Sequence, residues 1–141
     1  MPGVNTGYSI AHCSMAALVT ENKTLCWPAS ADSIPTKSNQ EDHVSNSTWS
    51  SRKARTVVAN VQQIVGSELL FACQAIDLTK PSLGNFNLGA GTLSAFEAVR
   101  TRIPAALESD RWLDEDLRAA VSLITDRVVG ASVESTVGNL H

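Results

Sequence analysis

A single helical pattern, from Thr48 to Leu78, constrains the fold more than any other feature of the chain. Val57, Val61, Ile64, Val65, Leu69, Ala72 and Ile76 recur at steps that keep them on one stripe of an α-helix. Val58, Leu70 and Cys73 widen the stripe until the C-terminal half is apolar on most sides, which predicts a helix buried all round. Lys80-Pro81 ends it, because proline has no N–H to continue the ladder. About 28 residues rise ~42 Å along the axis. A compact globule of 141 residues has a diameter of only ~37 Å. The helix is expected to outgrow its own globule and to be covered by other chains or by further parts of this one. The fold class that follows is all-α, a long-helix bundle.

Shorter patterns flank it. From about Thr6 to Asn22, Tyr8, Ala11, Met15 and Leu18 share one face, and Asn5 or Thr6 can cap the start. Leu25 to Ser47 is polar and broken by Pro28 and Pro35, so it reads as a connector without regular structure, of a length that is often functional. Beyond the long helix, Ser82–Gly91 reads as a loop in which Gly84, Gly89 and Gly91 supply turn freedom. Thr92 can cap a third helix with the stripe Leu93, Phe96, Val99 and Ile103, which Pro104 stops. Asp114 opens a fourth, its acidic first turn complementing the helix dipole, with the stripe Leu117, Val121, Ile124 and Val128. A short fifth segment runs from Ala131 to Val137 and ends at Gly138. The whole is expected to be one all-helical region over 1–141, with core elements in 1–79 and smaller helices in 80–141.

A net charge of −3 gives no electrostatic footprint for nucleic acid or an anionic membrane. The longest apolar runs fall far short of the ~20 residues a membrane span needs, and Met1–Asn5 does not read as a signal peptide. Cys13, Cys26 and Cys73 have no metal-finger spacing and read as free buried thiols of a reducing, cytoplasmic compartment. Trp27, Trp49 and Trp112 read as packing groups, and Arg52, Lys53 and Arg55 as a solvated or inter-chain basic face with anion binding as the lesser reading.

Chemistry-bearing residues concentrate in Ser38-Asn39-Gln40-Glu41-Asp42-His43-Val44-Ser45. Glu41, Asp42 and His43 could form a metal site, an acid/base cluster or a helix entrance. Adjacent residues converge poorly on one ion, and His12 and His141 have no fitting spacing with His43. The plain reading is a polar loop in which Ser45 or Ser47 caps the long helix and the acids favour its positive end. A carboxylate so placed is also a reasonable substrate-binding group. There is no Gly-x-Ser-x-Gly elbow and no glycine-rich phosphate loop.

Three stretches resemble the histidine and phenylalanine ammonia-lyases. They are Asn5–His12 with Ala16–Lys23, then Pro28–Thr36, then Gln40–Ser45; Glu68–Leu70 and Cys73–Asp77 continue the match along the long helix. The resemblance is dense from about Val4 to Leu78. It implies the C-terminal part of an all-helical fold whose long helices from four subunits form a central bundle. It also implies elimination of ammonia from an aromatic amino acid, histidine by preference given Glu41. Glu41 matches a substrate-holding position of the family, with Gln40 a weaker neighbour, so both are substrate-binding candidates; no catalytic residue and no metal ligand is assigned. The family's electrophile is a methylidene-imidazolone ring made from an internal Ala-Ser-Gly, and no Ala-Ser-Gly occurs here. Trp27 stands where the family commonly has His, and Asn46 where it commonly has Met.

Two functional readings follow. The first is a fragment or subunit of a histidine ammonia-lyase-like enzyme, inert alone and dependent on the N-terminal part or on a homo-oligomer, a tetramer by resemblance. The second is a non-catalytic helical module, derived from the lyase, that self-associates.

Overall fold

The structure, a computed structural model, describes residues 5–84 and 86–140. In chain order it contains α1 (Ser9–Leu25), β1 (Pro35–Thr36), β2 (Glu41–His43), α2 (Ser47–Thr79), a 3-10 turn (Lys80–Ser82), α3 (Ala90–Arg100), α4 (Asp114–Thr125) and α5 (Val128–Val137). The all-α class holds, with one correction: the connector read as irregular carries a minimal antiparallel hairpin, β1 with β2. The long helix is 33 residues, longer than the sequence pattern suggested. The chain divides into two compact units, Met1–Met15 with Gln62–His141, and Ala16–Val61.

The first unit holds the core. Leu70 and Cys73 of α2, Val99 of α3, Ile103, and Ala120 and Leu123 of α4 are buried together, with Phe71, Phe96, Leu117 and Val128 packed against them. Each fully buried aliphatic side chain contributes about 1.5–3 kcal/mol. Gly66 lets α2 approach α4 closely: a Cβ there would lie 3.0 Å from the Val121 nitrogen and 3.1 Å from the Ala120 carbonyl carbon. Small polar residues join α3 to α5. Ser94 Oγ donates to the Ser132 carbonyl (2.8 Å), and Thr136 Oγ1 donates to Ser94 Oγ (3.1 Å).

An irregular segment, 101–113, is stitched onto this core by side chains. The Gln74 amide forms a two-way pair with Ala106, donating to its carbonyl at 2.7 Å and accepting from its N–H at 3.0 Å. Arg111 donates to Asp116 (2.8 Å) and to the carbonyls of Pro104 and Ala105. The Asp110 carboxylate accepts the N–H groups of Thr6 and Gly7, while Asn5 Oδ1 accepts the Asp110 N–H. Asp110 thus meets donors just ahead of α1, and among the described residues neither Asn5 nor Thr6 makes a side-chain cap to it. Tyr8 stacks on Phe71 with centroids 4.8 Å apart. Arg100 pairs with Asp77 at 2.7 Å and lies over the Phe96 ring.

The C-terminal half of α2 buries Leu70 and Cys73 and leaves Val65 and Leu78 exposed, in keeping with a helix too apolar for this chain alone to cover. Other expectations need correction. The third helix begins behind Gly89, in extended conformation, so Thr92 lies inside it, and it ends at Arg100, ahead of Pro104. Of the three loop glycines only Gly84 uses a left-handed φ (62°); Gly91 is helical and faces Val133 and Val137. The stripe of the fourth helix is cut at Arg127, whose left-handed φ of 57° starts α5 at Val128. Cys13 and Cys26 are exposed, and only Cys73 is buried. All three tryptophans are exposed, so none packs as expected.

Counted with the following turn, Ser47–Ser82 reaches a mean hydropathy of 1.2 over an 18-residue window, enough by length and composition to cross a membrane. Asn60, Ser67 and Gln74 along it are buried and hydrogen-bonded within the chain.

Candidate functional site

The candidate loop lies in the second unit. This unit has almost no core: of its residues only Asn60 is buried, and that one is polar. Asn60 Nδ2 donates to Glu21 (3.0 Å) and Asn22 (2.9 Å), tying α2 to α1 within the unit. Val19, Trp27, Ile34, Val44, Trp49, Val58 and Val61 are exposed.

The hairpin is built around a tight tip. Lys37, Ser38 and Asn39 are all left-handed, with φ of 51°, 55° and 67°. Such residues cost about 1–3 kcal/mol each unless their surroundings fix them. The Gln40 N–H donates to the Lys37 carbonyl at 3.0 Å and closes the turn. Thr36 then faces Glu41 and Pro35 faces His43, so Asp42 is the extra residue of a bulge.

The pairing separates the three side chains that the sequence places side by side. Asp42 Oδ1 accepts the N–H of His43 at 2.7 Å. His43 Nδ1 lies 2.8 Å from the Ser33 carbonyl. A carbonyl only accepts, so Nδ1 is the donor of this bond. The Ser33 hydroxyl donates to the Val44 carbonyl, and the Val44 N–H donates to Ile34 (3.1 Å). Asp42 and His43 therefore serve the hairpin itself. Glu41 and Gln40 are exposed, and the carboxylate of Glu41 receives Lys37 Nζ at 2.9 Å. Glu41 is thus paired within the hairpin, not with the helix end. Lys37 was not singled out from the sequence, because a spacing of four brings side chains together on a helix and says nothing in a loop.

Asn46, left-handed at φ 54°, turns the chain into α2. Asparagine tolerates that conformation better than most residues. Ser45 Oγ donates to Ser47 Oγ at 3.3 Å, and Ser47 is already helical. Among the described residues neither hydroxyl caps a helical N–H. Lys53 Nζ donates to the Trp27 carbonyl. Arg52 and Arg55 line a shallow concavity of about 720 Å³ with Thr48, Ser51 and Thr56.

A cavity of about 280 Å³ in the first unit is lined by Tyr8, Gln74, Asp110 and Arg111, among others. Burial pushes the Tyr8 phenol above its ordinary pKa, with Arg111 opposing. The carboxylate, guanidinium and amide there are committed to the segment 101–113 and the start of α1. Among the described residues no three His, Cys, Asp or Glu side chains converge as a metal cluster would.

Comparison with known proteins decides the family. A model of the family described as aromatic amino acid lyase matches residues 1–101. The chain belongs to the aromatic amino acid lyase family. It is 44% identical to the histidine ammonia-lyase of Symbiobacterium thermophilum, over 99% of this chain and 26% of that enzyme. The crystal structure of histidine ammonia-lyase from Trypanosoma cruzi superposes with a TM-score of 0.85 at 44% identity, over 94% of this chain and 25% of that one. Tyrosine aminomutase from Streptomyces globisporus superposes with a TM-score of 0.87 at 30% identity, over 99% of this chain and 26% of that one. The chain is thus a partial histidine ammonia-lyase-like region and spans about a quarter of the length of the curated relatives it matches.

Proposed function

We propose that these residues are the C-terminal part of a histidine ammonia-lyase-like enzyme, which eliminates ammonia from L-histidine to give urocanate, and that the chain is inert alone. In this reading Glu41, with Gln40 beside it, binds the substrate's imidazole. The observation that carries the reading is the 44% identity to histidine ammonia-lyase over 99% of this chain; the exposed Glu41 carboxylate on the hairpin supports it. The chain has no Ala-Ser-Gly run, so its residues do not fit formation of the methylidene-imidazolone ring, and no step through that ring is assigned to them. What this chain contributes is a carboxylate that accepts an imidazole N–H and orients the side chain. A cytoplasmic setting and a homotetramer belong to the same proposal.

The test joins this chain to the N-terminal three quarters of the Symbiobacterium thermophilum enzyme and follows urocanate at its ultraviolet absorbance. The fused enzyme is expected to turn over histidine, the chain alone is not, and Glu41→Gln is expected to raise KM about tenfold or more, one lost charge-assisted hydrogen bond. No turnover by a folded fusion would sink the reading.

The exposed apolar residues of the second unit favour an alternative, a lyase-derived module whose work is self-association. Under that reading Glu41→Gln changes nothing measurable, and the isolated chain associates at micromolar concentration.

A further inference from the structure

The Lys37–Glu41 pair stands out against its surroundings. Its side chains are 70% and 54% exposed, so as a surface ion pair it does little for stability. Yet Lys37 also provides the carbonyl that closes the tip, and its backbone is the first of three left-handed residues. One residue therefore fixes the turn and reaches forward to the carboxylate. Lys37 is the side-chain partner of Glu41 among the described residues, and it takes Oε1. A carboxylate has two oxygens and about four acceptor sites, so Oε2 stays free.

We propose that Lys37 is a positioning residue for Glu41: its ammonium holds one carboxylate oxygen so that the other is offered to the ring N–H of a bound histidine. The inference rests on the reading of Glu41 given above. Ordering the carboxylate beforehand removes rotamer freedom that the substrate would otherwise have to freeze on binding. The contribution falls on binding, equally in ground and transition states, so it belongs in KM and not in kcat.

The experiment uses the fused, complete enzyme and steady-state kinetics with L-histidine. Lys37→Met is expected to raise KM roughly three- to tenfold, the range for one immobilised side chain, with kcat kept. Lys37→Arg is expected to restore it. In a Glu41→Gln background Lys37→Met is expected to add nothing, since coupled residues are not additive. An unchanged KM for Lys37→Met beside a raised KM for Glu41→Gln overturns the role of Lys37 and leaves Glu41 standing. An equal rise in both backgrounds also overturns it, because the effect then does not pass through Glu41. Silence of Glu41→Gln itself overturns the reading of Glu41 and this inference with it.

Discussion

Two glycines make opposite use of a missing side chain. At Gly66 the space is taken by the backbone of α4, which cannot swing aside like a side-chain tip. Gly66→Ala is expected to push α2 from α4 and to lower stability by about 1–3 kcal/mol, as overpacking does, read as a lower urea midpoint. At Gly130 nothing lies within 4 Å of an added Cβ. Gly130→Ala is expected to raise stability by about 0.4–1 kcal/mol, through helix propensity and a less free unfolded chain. Cys73 makes a third case. Burial pushes its thiol above the usual range, with Arg100 opposing. A raised folded pKa means the native state keeps a proton that the unfolded thiol gives up first. The stability this provides is complete below about pH 8.5 and is lost as pH rises through the folded value. The urea midpoint is therefore expected to fall in alkali, and less steeply in Cys73→Ala. An aromatic disulfide reagent at neutral pH is expected to react quickly with Cys13 and Cys26 and with Cys73 only on unfolding.

The helices were the legible elements. Apolar steps of three and four marked α1 and α2, and an acidic first turn marked the start of α4, where Asp114 is its first residue. What stayed hidden depended on partners far along the chain or on single backbone angles. The left-handed Arg127 that divides α4 from α5 leaves no mark on the hydrophobic pattern. The hairpin was missed because strands of two and three residues are too short to alternate. Gln40 and Glu41 were marked as candidates by resemblance, while Lys37 gains interest only when the tip folds back on itself. Nor does the pattern show that segment 101–113 is fastened by Gln74, Asp110 and Arg111. Gln74→Ala is expected to cost about 1 kcal/mol, since it removes both hydrogen bonds to the half-buried backbone of Ala106. Limited proteolysis of that variant is expected to add cuts between 104 and 113 that the parent chain resists.

The apolar burial lies in one unit. Leu70, Val99, Ile103, Ala120 and Leu123 belong to the first unit, and the second buries only Asn60. The long α2 pattern leads to the expectation of a cover, but it has no way to say which face this chain leaves bare. Trp27, Trp49 and Trp112 are 73%, 56% and 82% exposed. In the isolated chain their fluorescence is expected to be red-shifted and open to iodide quenching, and in the fused enzyme blue-shifted and protected. Hydrogen exchange is expected to be fast in 26–46 and slow around Leu70 and Leu123.

A coreless segment opens locally at little free-energy cost, and what opens is what proteases cut. The hairpin bearing Glu41 stands on such a segment. In a cell, a copy that found no cover would be trimmed at that hairpin first, before its better-packed portion was touched. The loop would then serve the cell as a mark of incompleteness, tying the lifetime of each copy to whether it had been assembled.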